Sequence, residues 1–119
     1  MKNKIESPMH ERLNEYRIMW LIVFFDLPTQ TKIERKKYAL FRTALIEDGF
    51  TMYQYSVYIR CCPSMDNAEV HKRRVRNMVP VKGFVSMLCI TDKQFASIET
   101  IIGKGESTTP PDALPLEFF

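Results

Sequence analysis

Asp26 is the residue of this chain best placed to do chemistry. It closes the apolar run Ile18-Met-Trp-Leu-Ile-Val-Phe-Phe25. A carboxylate at the end of a buried strand must be hydrogen-bonded, paired with a cation or bound to metal. Two readings stay open. Asp26 is a metal ligand or catalytic group, or it caps the turn into Leu27-Pro28-Thr29 through its own side chain. Mg²⁺ takes about six oxygen ligands, usually with one or two carboxylates among them, and no second acidic residue lies close to Asp26 in sequence. A two-fold axis near the strand end would bring two copies of Asp26 together and supply it.

The second chemical signal is cationic. Lys32, Arg35, Lys36, Lys37 and Arg42 fall in one segment, with Arg35 and Arg42 on a common helical face; a solvated outer face is the simpler account of them. Lys72-Arg-Arg-Val-Arg76 is denser, and Lys82 follows it. Arginine makes bidentate contacts to phosphate, which position a polyanion without reading its sequence. The whole chain carries a net +3, unevenly spread. Residues 18–98 hold twelve basic against seven acidic side chains, whereas residues 99–119 hold one against four. A basic body with an acidic tail suggests an anionic partner, phosphate backbones being the commonest.

Other chemistries lose ground. The four glycines form no phosphate cradle. His10 and His71 stand at no zinc-ligand spacing from Cys61, Cys62 or Cys89, and no Ser-His-Asp or Cys-His set assembles. Three cysteines, two of them adjacent, suit a reducing compartment, so a cytoplasmic protein is expected. Residues 1–17 lack the apolar centre of a signal peptide. The longest apolar run, eight residues, is far short of the roughly 20 that cross a bilayer, so no membrane partner is expected.

These residues need elements to hold them. Ile18 to Phe25, apolar without alternation, predicts a central strand covered on both faces. Pro28 breaks it, and Thr29 or Thr31 can cap a helix over Lys32 to Asp48 whose stripe is Ile33, Leu40, Phe41, Ala44 and Leu45. Gly49 suits a left-handed C-terminal cap. Met52 to Arg60 alternates and reads as one strand, with Tyr53, Tyr55, Val57 and Ile59 on one side and Gln54, Ser56 and Tyr58 on the other. Ser64 or Asp66 starts a helix to about Met78, with Ala68, Val75, Met78 and Val79 inward. Lys82 to Ile90 is a further strand, Thr91 to Ile98 a helical turn capped by Thr91 or Asp92, and Thr100 to Ile102 a short last strand. The expectation is one α+β domain over residues 16–102 with order βαββαβ: a ferredoxin-like antiparallel sheet with two helices on one face. Residues 1–15 read as an extension and residues 103–119 as an extended tail. A domain this small cannot cover the second sheet face, so self-association through it is expected, with the apolar tail laid on a partner's edge.

Several segments in order resemble the smaller of the two universal CRISPR adaptation proteins, in the form found with a single large effector nuclease. They are Ile22-Val-Phe-Phe-Asp-Leu-Pro-Thr29, Glu34-Arg-Lys36 with Phe41-Arg42, Gly49-Phe50, Gln54-Tyr-Ser-Val-Tyr58, Val79-Pro80 with Lys82-Gly83, and Thr91-Asp-Lys-Gln-Phe95. The resemblance spans about residues 16–102. It implies a ferredoxin-like homodimer in which Asp26, near the two-fold axis, binds one divalent ion, Mg²⁺ or Mn²⁺, shared between subunits. It implies a catalytic role for Arg35 beside Asp26, and metal-dependent cleavage of RNA or double-stranded DNA. It also implies a scaffold that bridges dimers of the larger integrase subunit and holds duplex DNA for spacer acquisition. For that role the basic residues Arg42, Lys72, Arg73, Arg74, Arg76 and Lys82 are the expected nucleic-acid contacts. A true metal-dependent nuclease and a non-catalytic dimeric interaction module are the alternatives.

Overall fold

Strand β1 (Met19–Asp26) lies inside the sheet between two neighbours. Its lack of a polar register follows from that position: Met19, Leu21, Val23 and Phe25 pack toward the helices, while Trp20 and Ile22 pack on the other side. The computed structural model describes residues 17–103; the expectations for residues 1–15 and for the tail beyond Gly103 lie outside the described residues.

Helix α1 (Lys32–Glu47) begins with a capping box. Thr31 Oγ1 accepts from the Glu34 amide, and the Glu34 carboxylate accepts from the amides of Thr31 and Gln30. Those amide bonds, Thr31's first, hold the Glu34 carboxyl below its ordinary pKa. The helix ends at Gly49, whose φ of +93° lies in the left-handed region that glycine tolerates. Strands β2 (Thr51–Gln54) and β3 (Val57–Cys62) follow, then α2 (Met65–Met78) capped by Ser64, strand β4 (Phe84–Thr91), and the short α3 (Asp92–Ala96) capped by Thr91. The sheet runs β2-β3-β1-β4 with every pair antiparallel. That is the ferredoxin-like order, with α1 and α2 packed on one face through Phe41, Leu45, Ala68 and Val75.

The expected element order stands, but two of its parts differ. Met52 to Arg60 is a hairpin rather than one strand. Tyr55 and Ser56 form the turn, with Ser56 at φ +62°. No glycine, asparagine or proline marks this turn, and tertiary bonds hold it instead: the Phe25 amide donates to the Ser56 carbonyl, and Ser56 Oγ lies 3.0 Å from Tyr38 Oη. Thr100 to Ile102 forms no strand with the described residues, so the fourth strand comes from the hairpin. Tyr58, expected on the polar side, is 1% exposed beneath the helices.

The stripe of α1 is also rotated from expectation. Phe41 and Leu45 are buried, whereas Ile33 and Leu40 are 68% and 60% exposed. The second sheet face is half covered. Phe95 of α3 stacks on Trp20 with ring centroids 4.0 Å apart, and Trp20 Nε1 donates to Asp92 Oδ1 at 2.8 Å. Toward the Asp26 end that face stays open, with Phe24, Leu88 and Phe84 exposed.

Candidate metal site and nucleic-acid interface

Side chains alternate along β1, so Asp26 shares a face with Trp20, Ile22 and Phe24. It ends that face at its open end and is itself exposed, opposite Phe84 of β4 in the register. The expectation of a carboxylate buried by its strand is therefore corrected: the last residue of β1 projects beyond the covered part of the sheet, where solvation lowers the cost of its charge. Among the described residues, no group of three or more histidine, cysteine, aspartate or glutamate side chains gathers to hold a metal. A single exposed carboxylate still fits a hard ion such as Mg²⁺ or Mn²⁺, which keeps waters and takes phosphate oxygens alongside one or two carboxylates. One chain supplies Asp26 alone.

Gly83 sets the approach of β4 to this strand end. Its φ is +103°, and a Cβ there would lie 2.6 Å from Leu27 Cδ2 and 2.9 Å from the Asp26 carbonyl oxygen. Gly83→Ala is expected to cost about 1–2 kcal/mol in urea unfolding for the left-handed backbone alone, plus the displacement of Leu27. Gly83→Asn, which tolerates that backbone better, should recover the backbone share but not the close approach to Leu27; equal stability of all three proteins would show that the loop yields freely.

Arg35 is on α1 but its guanidinium is committed to the backbone: Nη1 donates to the carbonyls of Thr29 and Gln30, each at 3.1 Å. It ties down the connection that follows Asp26. Arg42 Nε donates to Tyr58 Oη at 2.6 Å, which satisfies a buried hydroxyl from an otherwise exposed side chain. On α2, Lys72 pairs with Glu69 at 3.3 Å, and Arg74 Nη1 donates to Asp48 Oδ1 at 2.7 Å. Arg73 and Arg76 are exposed on α2, and Lys82 is exposed on the α2–β4 connection. The basic residues therefore do not converge on Asp26. Arg35 braces the loop that follows Asp26, while the α2 cations form a separate surface.

The orientation of α2 depends on a pair that no sequence motif announces. His71 is 5% exposed, and its Nδ1 donates to Asp48 Oδ2 at 2.7 Å. Burial pushes the Asp48 carboxyl pKa up, but the bonds from His71 and Arg74 outweigh it and leave the group below its ordinary value. Asp48 sits just past the end of α1, so this cluster pins α2 to α1 and leaves Arg73 and Arg76 facing outward. The spacing of His71, three residues after Ala68 and four before Val75, places it on the buried stripe; that spacing is the one signal the sequence holds for it.

The cysteines carry no nucleophile. Burial raises all three thiol pKa values, that of Cys62 to about 11, which disfavours the reactive thiolate. No helix among the described residues is long and apolar enough to cross a membrane.

Comparison with known proteins adds the family. The model of the CRISPR associated protein Cas2 family matches residues 19–98, from β1 to just beyond α3. A protein of Flavobacterium psychrophilum named CRISPR-associated endoribonuclease Cas2 is 49% identical over 110 residues, covering 92% of this chain and 96% of its own length. One of the same name from Parvibaculum lavamentivorans is 52% identical over 101 residues, covering 85% and 100%. A solved structure described as "Crystal structure of cas2" superposes with a TM-score of 0.51 at 16% identity, over 77% of this chain and 97% of that one, a likeness of fold. The chain belongs to the CRISPR associated protein Cas2 family.

Proposed function

We propose that this chain works as a dimeric scaffold of CRISPR spacer acquisition, holding duplex DNA and bridging dimers of the larger integrase subunit, with Asp26 supporting metal-dependent phosphodiester cleavage. The observation that carries this reading is the position of an exposed carboxylate at the open end of a half-covered apolar sheet face. Phe24, Leu88 and Phe84 lie 40%, 49% and 77% exposed on that face, enough apolar surface to favour a second copy of the chain. Pairing there about a two-fold axis would bring the Asp26 carboxylates toward one another, and one ion could be shared between them. A divalent ion so held would supply Lewis-acid stabilisation of charge on a phosphoryl oxygen. Asp26 supplies the anionic ligand, Arg35 keeps the Thr29–Gln30 backbone in place beside it, and the outward arginines of α2 bind the phosphate backbone.

A second reading has its own support. Among the described residues no group of three or more metal-ligating side chains includes Asp26, and a scaffold that does not cleave needs none. The relatives' name, endoribonuclease, supports the opposite extreme, a nuclease acting on RNA.

The scaffold reading is tested by duplex binding as a function of salt. Reversing Arg73 and Arg76 to glutamate is expected to lower affinity more than tenfold at about 50 mM salt. It should also make the slope of log K against log salt shallower by about 0.9 for each phosphate no longer neutralised. Unchanged affinity and slope would remove α2 from the interface. A monomeric mass at micromolar concentration would remove the shared ion.

A further inference from the structure

The helical side of the domain carries an apolar groove that no proposed role uses. Two adjoining depressions of about 270 and 290 Å³ share Lys37 and Pro80. One lies between the β1–α1 connection and α1, over Leu27, Pro28, Ile33 and Tyr38; the other continues along α1 past Leu40 to Val79 and Val81. The rotated stripe of α1 creates this groove. Ile33 and Leu40, apolar residues at core spacing, are exposed at its wall, and Val81 is 92% exposed. Lys37 and Lys82 stand on its rim, while the one carboxylate that lines it, Glu34, is already engaged by the cap of α1.

We propose that the occupant of this groove is the chain's own segment Pro110-Pro-Asp-Ala-Leu-Pro-Leu-Glu-Phe-Phe119. Three features of the sequence match the groove. After Lys104 the chain holds Glu106, Asp112 and Glu117 and no basic residue, which complements the lysine rim. Its three prolines favour the polyproline II conformation, whose ordering cost is small and which docks in grooves lined by aromatic and proline side chains; Tyr38, Pro28 and Pro80 are such a lining. The lengths agree as well. From Ile33 to Leu40 the helix rises about 10 Å, the span of three or four residues at about 3.1 Å each in polyproline II. Leu114-Pro-Leu116 has that length, with Asp112 and Glu117 on either side of it in sequence. Docking covers Ile33, Leu40 and Val81 and gives the apolar end of the tail a place to pack, without occupying the sheet face assigned to the second copy.

Methyl-resolved NMR of the full chain tests this without nucleic acid. Relative to the natural chain, the double variant Leu114→Asp/Leu116→Asp is expected to move the resonances of Ile33, Leu40 and Val81 and leave Ile22 and Leu88 in place. A synthetic peptide of residues 108–119, added to that variant, should restore the groove resonances. Its dissociation constant should rise at least fivefold when Lys37 and Lys82 are changed to glutamate. Three results would overturn the proposal: groove resonances identical in the natural chain and the variant, a peptide that shifts Ile22 and Leu88 instead, or groove resonances that follow protein concentration, which would assign the groove to a second copy.

Discussion

Changing Asp26 to asparagine is expected to lower Mg²⁺-supported cleavage roughly a thousandfold, about 4 kcal/mol of transition-state stabilisation, while stability and duplex affinity hold within twofold. The asymmetry follows from where the side chain sits. Asp26 is exposed and its side chain makes no hydrogen bond or ion pair among the described residues, so its replacement leaves no buried group unsatisfied and opens no cavity. Asparagine keeps the shape and the neutral oxygen but removes the anion, and a hard divalent ion loses its charged ligand. The α2 cations lie on a separate element, so binding through the phosphate backbone should persist with the same salt slope. Cleavage at the natural rate in Asp26→Asn would take this residue out of the chemistry. If the natural chain shows no cleavage of RNA or duplex DNA above a metal-free control, and Asp26→Asn still supports spacer acquisition, the non-catalytic scaffold is the correct reading. Arg35→Ala offers a useful contrast. Because its guanidinium braces the carbonyls of Thr29 and Gln30 through the single nitrogen Nη1, it should reduce cleavage by loosening the loop, and Arg35→Lys, whose ammonium can also donate to two carbonyls, should rescue it in part.

The parts of this architecture that sequence reveals are those set by local chemistry. The unbroken apolar run of β1 marks an interior strand, and of the caps left open by the sequence the structure uses Thr31, Ser64 and Thr91, with Gly49 at the left-handed end of α1. What stays hidden depends on contacts distant in sequence. The β2–β3 turn has no turn residue of its own and relies on Phe25 and Tyr38, which lie 31 and 18 positions before Ser56. Its alternation therefore runs through the turn and looks like one strand. The helical stripe of α1 misleads for a similar reason. Ile33 and Leu40 have core spacing, yet the sheet beneath receives Phe41 and Leu45 instead, packed in one cluster with Ala68 and Val75 of α2. Asp26 is legible as a chemical candidate, but its exposure is not, because it depends on where the register with β4 ends at Phe84. The cationic candidates are legible by type alone. Their division into braces, Arg35, Arg42 and Arg74, and outward side chains, Arg73 and Arg76, is a property of the assembled fold.

Replacing Asp48 with asparagine should destabilise the domain by about 3 kcal/mol at neutral pH in urea unfolding. Its carboxylate, 9% exposed, accepts from His71 at 2.7 Å and from Arg74 at 2.7 Å. Hydrogen bonds to charged groups contribute about 1.5–3 kcal/mol each. The Arg74 bond must be discounted, since that side chain is 57% exposed and water screens it. The larger share comes from His71, 5% exposed, which would face an amide that accepts more weakly than a carboxylate. Acid should erase the difference. The Asp48 carboxyl has a folded-state pKa below its ordinary value of 3.8, so its contribution is fully present above that value and is lost as pH falls through the lowered one. The natural chain and Asp48→Asn should therefore differ most at neutral pH and converge in strong acid; parallel stability curves across that range would show that the carboxylate charge contributes nothing. The same variant probes the link to function. With α2 released from α1, Arg74 joins Arg73 and Arg76 on the outer face while the helix loses its fixed orientation. Duplex affinity should then respond less than the urea midpoint does, because binding to phosphates tolerates small displacements that a packed interior does not.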